Sequence, residues 1–128
     1  MKGYNWAVSS EALHESEAVL RPETVDRHRA IVSLMEELEA VDWYDQRVDA
    51  TTDPELKAIL AHNRDEEKEH ASMVLEWLRR RDPVLDHHLR EYLFSSGSIT
   101  AREAEAEDPG SGGHSDLGLG GLKEKEGL

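Results

Sequence analysis

Apolar side chains in this chain recur at helical spacing, and prolines mark where the helices begin and stop. Pro22 stands where a helix can start, because a first turn does not need the amide hydrogen that proline lacks. From Val25 to Ala50 there is no Gly or Pro, and Ile31, Leu34, Leu38, Val41 and Val48 share one helical face. Residues 50–53 then read as a turn. Thr52, Asp53 and Pro54 supply a cap and a favourable first position for the next helix, and Thr52 with Glu55 fits a capping box. This second helix is expected to reach Arg81, where Arg79, Arg80 and Arg81 suit the negative end of the helix dipole and Pro83 enforces a stop. So short a turn makes the pair an antiparallel hairpin.

Leu85, His88, Leu89, Tyr92 and Leu93 predict a third, shorter helix over 84–94, folded back on the hairpin or onto a neighbouring chain. Residues 1–21 are weakly patterned and read as a flexible arm with a short helix near 11–20. Beyond Ser95, residues 100–107 form an acidic stretch of weak helical character. Seven of the nine glycines lie between Gly110 and Gly127, which predicts a segment that does not fold by itself. The expected organisation is therefore an arm at 1–21, a helical hairpin with its third helix at 22–94, a linker at 95–114 and a tail at 115–128. The fold class is all-α, with the hairpin pairing with a second chain into a four-helix bundle.

The polar residues inside the apolar stripe change this picture. Leu56, Leu60, Asn63, Glu67, His70, Val74 and Trp77 alternate by four and three residues, so all lie on one face of the second helix. A hairpin has to bury that face, and an unpaired buried carboxylate costs on the order of several kcal/mol. A metal ion would compensate Glu67 and His70 directly. Taken alone, Glu-x-x-His is weak, since runs such as 64–70 are commonly solvated. Its phase against the first helix adds weight, because Glu37 borders the apolar stripe there, three residues after Leu34 and four before Val41. Di-iron carboxylate bundles take one Glu from each of two helices and a Glu-x-x-His from each of the other two. This chain has one copy of each element on two long helices. Two chains would supply two Glu37, two Glu67 and two His70, the ligands of a non-haem di-iron centre.

Charge and composition narrow the chemistry. The chain has 128 residues, 38% hydrophobic and 34% charged, with a net charge of -13. One core is the most that this length supports. The acidity argues against nucleic acid as a partner and for cations. With no cysteine, a metal has to be held by His, Asp, Glu or backbone oxygen. No basic segment precedes an apolar run, and no stretch approaches the roughly 20 apolar residues of a membrane span, so a cytoplasmic protein with no membrane anchor is expected. Carboxylates stabilise ferric iron and bridge two ions, imidazole adds a borderline nitrogen ligand, and six side chains leave positions open for dioxygen. Trp43 and Tyr44 follow about two turns after Glu36 and Glu37, where an aromatic residue can act behind the ligands or simply pack. Glu36 and Glu39 form a candidate outer cation site, and Ca(II) or another divalent ion suits such oxygen ligands. His14, His28, His62, His87, His88 and His114 read as surface or packing residues.

The stretches HRAIVSLMEELEAVDWYDQRVDA, TTDPEL, ILAHNRDEEKEHASMVLEWLRRR and REYLF, spanning about Glu23 to Thr100, resemble the encapsulated ferritins. That resemblance implies a homo-oligomeric ring of paired subunits with a ferroxidase centre at the dimer interface. Its ligands would be Glu37, Glu67 and His70, its outer site Glu36 and Glu39, and Trp43 would stand near the route inward. Asp116, Leu117, Gly118, Leu119, Gly120, Gly121, Leu122 and Lys123 resemble the peptide that directs cargo into encapsulin shells. Spaced leucines on a Gly-rich strand can enter small apolar pockets. Gly121 replaces the Ser often found before the last Leu, and residues 124–128 extend past the usual end. The expectation is a ferroxidase that oxidises Fe(II) with dioxygen and feeds mineral storage inside a nanocompartment. The alternatives are a non-catalytic helical metal-binding or scaffold dimer and a related di-metal oxidase or peroxidase.

Overall fold

Pro22 restricts Arg21 to an extended conformation (φ -71°, ψ 148°) and opens α1, which runs without interruption over Pro22–Ala50. The computed structural model describes residues 11–107. The first ten residues and everything from 108 onward lie outside the described residues, including the candidate targeting segment 116–123. Helix α2 spans Pro54–Arg81, α3 spans Pro83–Tyr92 and α4 spans Ile99–Glu107. The described chain is thus all-helical.

The described residues divide into two units that part between Leu78 and Arg79. In the first, α1 and α2 contain 29 and 28 residues, so each is roughly 43 Å long at the α-helical rise. Thr51 closes α1 by donating its amide to the Arg47 carbonyl at 3.0 Å. The cap of α2 is Asp53, whose carboxylate accepts from the Leu56 amide at 2.9 Å. Pro54 then holds the first helical position, which takes Thr52 and Glu55 out of register for the expected capping box. Two cross-helix pairs give the register of the hairpin. Arg64 reaches Asp45 at 3.1 Å and His70 faces Glu37 at 3.7 Å, so advancing about two turns on α2 means retreating about two turns on α1, as an antiparallel pair requires.

The inward line of α1 is Leu34, Glu37, Val41, Tyr44 and Val48, all half-buried and alternating by three and four. Ile31 and Leu38, assigned to that line by the sequence pattern, instead share an exposed stripe with Met35, at 47%, 55% and 40% exposure. On α2 the predicted stripe is half-buried from Leu60 through Trp77, and Leu56 lies open at 43%. Only Val25, Ala71 and Leu78 are buried hydrophobics among the described residues. Two helices in contact have one shared seam, and every apolar side chain off that seam meets water.

Ahead of α1, the helix expected near 11–20 is one 3-10 turn, Glu17–Val19, capped by Ser16. Before that turn, the Glu11 carbonyl accepts from His28 Nε2 at 2.9 Å, which requires the proton on that nitrogen.

In the second unit, Asp82 caps α3 by accepting from the amides of Val84 and Leu85 at 3.1 and 3.0 Å. Asp86 on α3 pairs with Arg79 and, at 3.0 Å, with Arg90. Hydrogen bonding from Arg79 first, and from Arg90 as well, holds the Asp86 carboxyl below the usual carboxylate value. The helix ends at Tyr92, two residues earlier than the sequence pattern suggests: Leu93 is extended (φ -68°, ψ 143°) and Phe94 after it takes a left-handed conformation (φ 59°). Gly97 follows at φ 82°, and the Ser98 hydroxyl accepts from the Ala101 amide at 3.2 Å to start α4. Among the described residues no helix is long and apolar enough to cross a membrane.

Candidate metal centre

Glu37 comes from the inward line of α1, and Glu67 with His70 from that of α2. Glu67 and His70 are thus neighbours by one helical turn, whereas Glu37 is distant in sequence and brought to them by the hairpin register. His70 Nδ1 stands 3.5 Å from Glu67 Oε2 and 3.7 Å from Glu37 Oε2. One donor atom from each residue falls within 4.8 Å of the others. These separations exceed direct hydrogen bonds and suit an arrangement that one ion would draw inward.

Both carboxylates are 25% exposed and the imidazole 42%, so the group is neither sealed in a core nor free on a surface. The nearest basic residues in sequence are engaged elsewhere. Arg64 is held by Asp45 and Asp65, each at 3.1 Å, and Lys68 approaches Asp65 at 3.5 Å. Hydrogen bonding to Arg64 pulls the Asp65 carboxyl below its usual value, and the same contacts raise the Arg64 guanidinium. The Arg64 charge is therefore spent on Asp45 and Asp65, on the face beside the two glutamates.

Glu36 and Glu39 are both exposed, and in the single chain neither belongs to a cluster of three metal-competent side chains among the described residues. Trp43 is 49% exposed. Tyr44 sits half-buried in the inward line with the Arg47 guanidinium over its ring at 5.4 Å, a cation–π contact. A second cluster escaped the sequence analysis: His87, His88 and Glu91 on α3 also bring donor atoms within 4.8 Å of one another. Its signal was the i, i+1, i+4 spacing, visible once Glu91 is read together with the histidines.

Comparison with known proteins places these features. A family model described as EncFtn-like matches residues 12–96. An encapsulated ferritin-like protein of Rhodospirillum rubrum is 64% identical over 128 residues, covering 91% of each chain. An encapsulin nanocompartment cargo protein of Myxococcus xanthus, EncC, is 40% identical over 65 residues, 51% of this chain and 50% of its own. Among solved structures, a crystal structure of a Nitrosomonas europaea protein matches with a TM-score of 0.67 and 62% identity, covering 69% of this chain and 97% of the other.

Proposed function

The chain belongs to the EncFtn-like family, and from that premise we propose that it is a ferroxidase whose di-iron centre is completed by a second copy of itself. The observation that carries the reading is the convergence of Glu37, Glu67 and His70 within 4.8 Å, on a hairpin whose remaining apolar stripes are exposed. Three side chains are too few to fill the shell of a six-coordinate ion. Pairing two hairpins would bury the stripes and double the donors to four carboxylates and two imidazoles.

This donor set fits iron as substrate. Carboxylate oxygens favour the ferric over the ferrous ion, so binding biases each Fe(II) toward loss of one electron to dioxygen. His70 turns Nδ1 toward both glutamates, leaving that nitrogen as the donor in the neutral ring. Glu67 and Glu37 would draw in from either side and shield the charge of the product. The exposed Glu36 and Glu39 would then form, with the second copy's equivalents, an acidic approach that collects Fe(II), Ca(II) or another divalent cation. Trp43 and Tyr44 would stand behind the ligands and restrict solvent.

The cargo names among the relatives support a further assignment of the same kind. Residues 95–114 would act as a linker, and Asp116–Lys123 would dock on the inner wall of an encapsulin shell, which would receive the ferric product for storage. The assembly inside that cytoplasmic compartment would be a ring of paired subunits. In the test, Fe(II) is added anaerobically, oxygen is admitted and the ferric absorbance is followed. Wild type is expected to exceed buffer, and the Glu37→Ala, Glu67→Ala, His70→Ala triple variant to match it. Equal rates for wild type, variant and buffer would leave a non-catalytic metal-binding dimer instead.

A further inference from the structure

The cluster on α3 has no part in the iron chemistry above, and its donors come in the opposite ratio, two imidazoles to one carboxylate. We propose that His87, His88 and Glu91 form a separate site for one borderline divalent transition-metal ion of the Zn(II) class, complete within a single chain.

Helix geometry places the three side chains around one point. At about 100° per residue, Glu91 projects one turn beyond His87 at an azimuth between the two histidines. Its carboxylate therefore closes a triangle over the pair, with His88 Nδ1 3.6 Å from Glu91 Oε2 and the three donor atoms within 4.8 Å. The imidazole centroids lie 5.2 Å apart with the rings inclined at 70°, so they approach a shared ion from different directions.

The surroundings favour a cation. Glu91 lies in the last turn of α3, at the negative end of the helix dipole. Its side chain is only 13% exposed, against 58% for His88, which limits its rotamers and makes it the fixed member of the set. Arg102 donates from Nε to the Glu91 carbonyl and so steadies the backbone beneath it. Two neutral imidazoles with one carboxylate suit Zn(II) and its neighbours, whereas Ca(II) and Mg(II) prefer an all-oxygen shell. Water would fill the remaining positions, since both imidazoles are exposed.

Because the ligands come from one helix, binding here needs no second chain, unlike the centre at Glu37. The test is a Zn(II) titration of the full chain followed through its imidazole nitrogen resonances. His87 and His88 are expected to shift together and saturate at one ion, in wild type and in the Glu37→Ala, Glu67→Ala, His70→Ala variant alike. Glu91→Gln is expected to weaken that response by about tenfold or more, and His87→Ala, at an exposed position, to do the same without touching the half-buried Glu91. Equal concentrations of Ca(II) should leave both resonances in place. Unmoved His87 and His88 signals, a Ca(II) response equal to that of Zn(II), or an unchanged response in both substituted chains would overturn the proposal.

Discussion

His70 faces Glu37 across the hairpin at 3.7 Å while holding Glu67 one turn away on its own helix at 3.5 Å. One imidazole thus mediates between a carboxylate brought by tertiary register and another brought by helical repeat. Any change that slides α1 against α2 separates the first pair and spares the second, so integrity of the centre reports on the register of the hairpin.

If the centre is shared, interrupting the exposed stripe of α1 should abolish activity without touching a ligand. Leu38→Glu places a charge on a position 55% exposed in the single chain, where it costs little in the isolated hairpin and is prohibitive in an apolar interface. The expected variant keeps its helical circular dichroism, sediments as a monomer and oxidises Fe(II) no faster than buffer. A monomer that retains the wild-type rate would place the whole centre in one chain.

Metal and association should be linked. Without metal, four carboxylates facing one another oppose pairing, and an ion bound by both chains adds its binding energy to the paired state. Size-exclusion chromatography is expected to show a shift to larger species on adding Fe(II). The Glu37→Ala chain, with less repulsion, should pair more readily without metal and respond less to it.

Acid should weaken the second unit through Asp86. Its folded-state value lies below the ordinary 3.8 because of Arg79 first and Arg90 after it. A group depressed in the folded state contributes stability above its unfolded value and loses it as pH falls through the folded one. Stability that Asp86 supplies near neutrality is therefore expected to fade below about pH 4. Asp86→Asn should lose part of that acid dependence, as read from denaturation midpoints between neutral and acid pH.

Removing Asp116–Leu128 should separate packaging from chemistry. The truncated chain is expected to oxidise Fe(II) at the wild-type rate and to be absent from purified shells when co-produced with an encapsulin. Shells that still carry it would move the docking determinant elsewhere in the chain.

Much of the hairpin is legible in the sequence, because Pro22, Asp53–Pro54 and Pro83 mark its boundaries and its apolar period is close to that of a helix. Glu37, Glu67 and His70 stand out as candidates by their phase together with the ligand pattern of di-iron bundles and the family resemblance, since an ionisable residue in a half-buried line asks for a partner. The inward line of α1 was harder to choose. Ile31–Met35–Leu38 and Leu34–Val41–Val48 are neighbouring apolar stripes, and periodicity cannot rank them when one faces α2 and the other is left for a different surface. Phe94 gave no warning that α3 would stop before it, because a left-handed Phe runs against steric preference at a cost of order 1–3 kcal/mol. Gly97 was the nearer signal of a chain reversal. The α3 cluster is hidden from any reading that takes each histidine singly, because His87, His88 and Glu91 form a donor set only together.

Val25, Ala71 and Leu78 are the only side chains that the described residues bury, and none of the three is sealed completely. A solitary copy thus shows water, and any chaperone that samples it, the same greasy surface as a chain that has gone wrong. Finding a twin would then be the last step of maturation: melting temperature would fall on dilution, and surplus unpaired chains would be the first to be cleared.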